Sequence, residues 1–125
     1  MKRFAALFAA GLLLAPACAK ELSAPQDQGI CWHMVTLKDK TVRFNRLAEN
    51  VPSLEKCAVQ LEVIRLNFQR LGSPEDNMIG AYQGRFLFLQ PEGIFTAEKF
   101  NGGRYLLLVR TGDGRLAKPG VMPVQ

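Results

Sequence analysis

Between Ser53 and Gly72 the chain places apolar side chains at Leu54, Cys57, Ala58, Leu61, Ile64, Phe68 and Leu71. Steps of three and four residues bring these positions onto one broad face of a helix. Ser53 is suited to cap its start, Glu55 and Arg70 match the helix dipole in the first and last turns, and Gly72 can close the end in a left-handed conformation. Val59, Val63 and Leu66 add a second, weaker apolar strip, so this helix is expected to be covered on more than one side.

The rest of the chain follows strand patterns. Residues 30–37 and 41–46 are β-prone and separated by a polar turn at Lys38, Asp39 and Lys40. After the helix come RFLFLQ, IFTAEKF and RYLLLVR, punctuated by turn residues at Pro91-Glu92-Gly93, Asn101-Gly102-Gly103 and Gly112-Asp113-Gly114, with a short last strand beyond. The expected fold class is α+β: one long amphipathic helix packed on a curled antiparallel sheet of five to six strands, in the order ββ-α-βββ(β). RFLFLQ and RYLLLVR are apolar on both parities, unlike strands with one wet face. Both of their faces are therefore expected to be buried. A single helix covers only one face, so the other must curl over on itself or meet a second copy, a partner or an apolar ligand.

The start of the chain has a separate logic. Lys2 and Arg3 precede an apolar run from Phe4 to Ala15, then Pro16 and the small residues Ala17-Cys18-Ala19. This reads as a secretory signal peptide over residues 1–19. The run falls short of the roughly 20 residues that span a bilayer, and no later stretch qualifies as a transmembrane segment. Cleavage before Cys18, with a lipid anchor on its sulfur, is the disfavoured alternative: Ala15 stands three places before the cysteine, Leu14 is one place too early, and Pro16 intervenes. Residues 20–29 are expected to form a flexible lead, residues 30–118 a single domain and residues 119–125 a tail. About 106 residues remain after cleavage, enough for one domain with its own core. The short basic leader is most like a bacterial one, which favours the periplasm of a Gram-negative cell.

Composition removes some functions. Taking Lys2 and Arg3 from the 16 lysines and arginines leaves 14 against 11 acidic residues. The arginines are scattered rather than bunched, so nucleic acid is not an expected partner.

The segment from Cys31 to Cys57 carries the only tryptophan and histidine, Trp32 and His33. With Cys18 removed, Cys31 and Cys57 are the only sulfhydryl pair. One begins the first strand, the other sits on the core face of the helix, and export permits oxidation, so a structural disulfide is expected. Period-two geometry puts His33 on the strand face of Cys31, which raises a zinc site or a Cys-His nucleophile as rivals. Neither has a fourth ligand or a companion motif, and no metal or other cofactor is expected. No nucleophile elbow, phosphate loop or dinucleotide fingerprint occurs. Glu75, Asp76, Glu92 and Glu98 lie in turns or strand ends without the spacing of an acid–base pair. No catalytic residue is assigned.

Three functions are weighed. The first is a noncatalytic exported protein with a structural or docking role in the envelope, its partner being itself or another envelope protein. Trp32 and Met34, on the parity away from the helix, would be the interaction surface. The alternative is a small periplasmic binding domain for an apolar or amphipathic ligand, with a pocket at Phe86, Phe88, Leu106 and Leu108. The third is an exported hydrolase.

Overall fold

A computed structural model describes residues 21–73 and 76–120; the leader and Cys18 lie outside them. The elements are β1 (Cys31–Thr36), β2 (Val42–Ala48), α1 (Leu54–Arg70), β3 (Met78–Tyr82), β4 (Arg85–Gln90), β5 (Gly93–Ala97), β6 (Tyr105–Arg110) and β7 (Leu116–Ala117). The strands form one antiparallel sheet in the order β2-β1-β3-β4-β5-β6-β7. Both β2 and β3 pair with β1, so the chain leaves the sheet edge after β2, crosses β1 through the helix and returns on its far side.

The α+β class holds, with seven strands rather than the five or six expected. The strand without a sequence signal is β3, MIGAY, whose centre is Gly80 and Ala81. Its small residues have a packing reason. A Cβ on Gly80 would lie 2.3 Å from Leu61 Cδ1 and 2.6 Å from the Trp32 carbonyl oxygen. Glycine here lets the helix settle onto the sheet. Gly80→Ala is expected to cost about 1–3 kcal/mol, because the Trp32 contact is backbone and cannot rotate away. Urea unfolding checks this: a variant as stable as the parent would show that the helix stands farther from β3.

Each helix end is made as its sequence suggests. Ser53 Oγ accepts from the Lys56 amide at 3.1 Å. At the other end the Gly72 amide donates to Gln69 O at 3.0 Å and the Ser73 amide to Phe68 O at 2.9 Å, with Gly72 at φ 91°. These two bonds satisfy carbonyls that the last turn would otherwise leave without partners. The Tyr82 hydroxyl donates to Val51 O at 2.6 Å and pins the segment that leads into the helix.

Two apolar layers flank the sheet, and β4 feeds both. Leu87 and Leu89 face the helix with Leu61, Ile94 and Leu108. Phe86 and Phe88 face the opposite way, with Met34, Ala81 and Ala97. The dual apolar parity of RFLFLQ therefore marks a strand buried on both faces. RYLLLVR does not follow the same rule: Tyr105 and Leu106 are exposed. The β5–β6 ladder shifts register between Ile94 and Phe95, pairing Ile94 with Leu108 but Phe95 with Leu106. This irregularity places Leu106 and Leu108 on opposite faces despite their equal parity.

The face away from the helix is closed by the chain itself. Phe100, from the β5–β6 connection, stands edge-on to Phe86 at a centroid distance of 5.4 Å, and the Arg104 guanidinium lies 3.6 Å above the Phe88 ring. Ala24 is buried against the same layer, and Pro25 O accepts from the Gly84 amide at 2.8 Å. The lead over residues 21–29 is thus docked onto the sheet rather than free, because the apolar Leu22 and Ala24 interrupt its polar run.

Candidate functional site

Cys31 and Cys57 form a disulfide with a Cα–Cα distance of 5.3 Å, and both residues are fully buried between β1 and α1. That separation lies within the usual range for such bonds. Neither sulfur is a thiolate that His33 could share. The His33 ring instead lies 6.4 Å from the Phe68 ring, on the helix side of the sheet. Among the described residues no group of three or more His, Cys, Asp or Glu side chains is placed to hold a metal.

The other sequence candidates are dispersed. Met34 belongs to the layer away from the helix, and Trp32 packs beside it half-buried, with the Arg46 guanidinium 5.6 Å from its ring centre. The Trp32 indole N–H is buried without a hydrogen-bond partner among the described residues. Phe86 and Phe88 lie in that layer too, Leu106 is exposed beyond Phe95, and Leu108 is in the helix-side core, so the four do not line one pocket. Glu75 lies outside the described residues. The Asp76 carboxylate accepts from Gln69 Nε2 at 3.0 Å, Glu98 stands 4.0 Å from Arg85, and Glu92 is exposed in its turn.

A polar constellation without a sequence motif lies at the helix flank. Buried Glu62 accepts from Arg65 through Nε at 2.9 Å and Nη2 at 3.2 Å, and from Arg110 through Nε at 2.8 Å and Nη2 at 3.0 Å. Arg65 Nη1 also donates to Asp76 O at 3.1 Å, and Arg110 Nη1 donates to the carbonyls of Gln90 and Pro91. One carboxylate thus ties the helix to β6, to the β4–β5 turn and to the segment before β3. Burial opposes ionisation of Glu62, but the hydrogen bonds and charges of Arg110 and Arg65 outweigh it and hold the carboxyl below its ordinary value. Only the Glu62–Arg65 pair, three apart at the edge of the core stripe, was open to a local reading. Arg110 lies 48 residues from Glu62, beyond any spacing rule.

Two features remain open to solvent. A groove of about 450 Å³ runs where the C-terminal end of α1 meets β1 and β3, lined by His33, Val35, Arg65, Phe68, Asn77 and Met78 among others. On the outward face of the helix, Val59, Val63 and Leu66 are 43%, 53% and 36% exposed. The second apolar strip is therefore largely uncovered, contrary to expectation: the sheet occupies one side of the helix, and only at Leu66 does the β6–β7 turn, through Gly112, Gly114 and Arg115, come alongside the strip.

No family model, no curated protein and no solved structure is detectably similar to this chain. Among the described residues no helix is long and apolar enough to cross a membrane.

Proposed function

We propose that the protein is a noncatalytic, exported docking module of the bacterial envelope, acting through the outward face of α1. The observation that carries this reading is the exposed row Val59, Val63 and Leu66. Its steps of four and three residues describe a narrow seam of the kind that pairs two helices. The occupant is a second copy of the same helix laid antiparallel. Glu55 in the first turn and Arg70 in the last then meet their opposites across the pair. A seam of three part-exposed side chains on each helix makes a small contact, so the association is expected to be a weak one.

The noncatalytic part rests on where the reactive groups lie. Both sulfurs are joined to each other and the buried acid is locked between two arginines. Export to the periplasm rests on the leader pattern and agrees with a disulfide, which an oxidising compartment sustains.

Sedimentation over a range of concentrations tests the proposal. The mature protein is expected to gain mass above that of a monomer as concentration rises. Val63→Glu is expected to remain monomeric at every concentration while keeping its circular dichroism and unfolding midpoint. A parent protein that stays monomeric into the millimolar range would refute self-docking.

A further inference from the structure

The sheet ends differently on its two sides. One edge is β7, two residues long and followed soon after by Pro119, which has no amide proton to offer a neighbouring strand. The other edge is β2, seven residues from Val42 to Ala48 with no proline among them. Its register against β1 shifts only at the far end, between Cys31 and Trp32, so Val42 to Arg46 pairs as an unbroken run.

One bond fixes where each backbone group on this run points. The Leu37 amide donates to Thr41 O at 2.8 Å, so Thr41 turns its carbonyl toward β1. Residues of an antiparallel ladder alternate between bonding one neighbour and the other, so Arg43 and Asn45, opposite Val35 and His33, also bond inward. Val42, Phe44 and Arg46 then direct their N–H and C=O groups out of the sheet. Among the described residues no hydrogen bond reaches these backbone groups from outside the ladder. The edge is thus a template onto which an extended polypeptide can add as a further strand.

The side chains define what that strand carries. Val42 and Phe44 are half-buried at the rim of the apolar layer away from the helix, so apolar residues opposite them continue that layer. Arg43 is exposed on the other face, with neutral Val35 opposite it and neutral Thr41 and Asn45 beside it on its own strand. Among the described residues no ion pair reaches its guanidinium, and β2 itself holds two arginines and no acid. A carboxylate on the added strand, opposite Arg43, would be its direct cross-strand partner. A second copy of β2 cannot supply one. The register in which Val42, Phe44 and Arg46 all bond to their counterparts is centred on Phe44, and it sets the two Arg43 side chains diagonally next to each other.

We propose that β2 is a docking edge for an extended segment of another polypeptide, added as the next antiparallel strand with apolar residues opposite Val42 and Phe44 and a carboxylate opposite Arg43. Backbone bonds supply the affinity and alternate side chains the choice of partner. The site is separate from the helix-pairing face, since Val63 lies on the side of α1 turned away from the sheet.

Titration of the mature protein with the end-capped peptide Val-Glu-Val-Glu-Val, followed residue by residue through amide exchange in NMR spectra, tests the assignment. Saturable binding is expected to slow exchange at the amides of Val42, Phe44 and Arg46, while those of Arg43 and Asn45, already bonded to β1, keep the protection they had. The same peptide N-methylated at its valines has lost that bonding edge and is expected not to bind. Val-Lys-Val-Lys-Val is expected to bind at least about fivefold more weakly than the acidic peptide, since like charges opposite each other repel. Arg43→Glu, at an exposed position, is expected to invert that order. Val42→Pro removes one outward donor without touching a bond to β1, and is expected to weaken both peptides. Val63→Glu is expected to bind the acidic peptide as the parent does, which separates this edge from self-docking. Absent saturation, protection at other amides instead, equal binding of the N-methylated peptide, an order of preference unchanged by Arg43→Glu, undiminished binding by folded Val42→Pro, or loss of binding in Val63→Glu would each overturn the proposal.

Discussion

Removing both cysteines, as Cys31→Ala/Cys57→Ala, is expected to lower the stability of the folded domain by at least about 3.5 kcal/mol. The bond joins residues 26 apart in sequence. On the chain-entropy model, closing a loop of this length removes that much freedom from the unfolded chain. A second contribution has the same sign. Both side chains are fully buried within the helix-side core, so shortening them leaves space that Leu61 and its neighbours fill only in part. Against a total of roughly 5–15 kcal/mol for a small domain, the loss is a large fraction.

Urea unfolding with and without a thiol reductant separates the two contributions. The parent midpoint is expected to fall on reduction, and the double variant is expected to ignore the reductant and unfold earlier still. If alkylation shows both thiols free while the parent midpoint does not move, the bond contributes no stability and the clamp is refuted. The bond fastens α1 to β1 at the point where the helix crosses from the sheet edge. Its loss is therefore also expected to loosen Gly80 against Leu61, and amide exchange at β3 reports this directly.

The parts of this fold that were legible in the sequence are those whose cause is local. Ser53 and Gly72 cap the helix through bonds to residues three to five positions away. The paired parities of Leu87 and Leu89 against Phe86 and Phe88 are a property of one strand. The cysteine pairing was legible because only two candidates remained and each fell on an element facing the other. What escaped depends on partners distant in sequence. β3 has little strand propensity of its own and is a strand because β1 and β4 flank it and Leu61 needs the room above Gly80. Leu106 and Leu108 share a parity that the shifted β5–β6 register cancels. The groove arises where a ladder stops, and ladder length is set by pairing rather than by composition. The outer helix strip was visible as a pattern, yet periodicity does not say whether an apolar row is covered by the same chain.

The buried ion cluster is the clearest instance of a distant partner, and it carries the second large expectation. Glu62→Ala is expected to cost about 3–5 kcal/mol, because it leaves Arg65 and Arg110 close together with no counter-charge in a site poorly reached by water. The cost measures the stranded cations more than the attraction they lost. Replacing all three, as Glu62→Leu with Arg65→Met and Arg110→Leu, is therefore expected to cost less than Glu62→Ala alone.

The pH dependence has a definite sign. The folded-state pKa of Glu62 lies below its ordinary value of 4.5, since the bonds from Arg110 and Arg65 more than offset the desolvation that raises it. A depressed carboxyl pKa contributes stability that is fully present above the unfolded value and is lost as pH falls through the folded one. The parent is thus expected to lose stability on acidification below about pH 4.5, over and above the loss from its other carboxylates. Glu62→Gln removes this titration. It is expected to be less stable than the parent near neutrality, with the gap narrowing as the parent's own carboxyl takes up its proton. Urea unfolding of both proteins across this window tests the claim. A gap of constant size would mean that Glu62 titrates alike in the folded and unfolded chains, so that the two arginines confer no preference for its charged form.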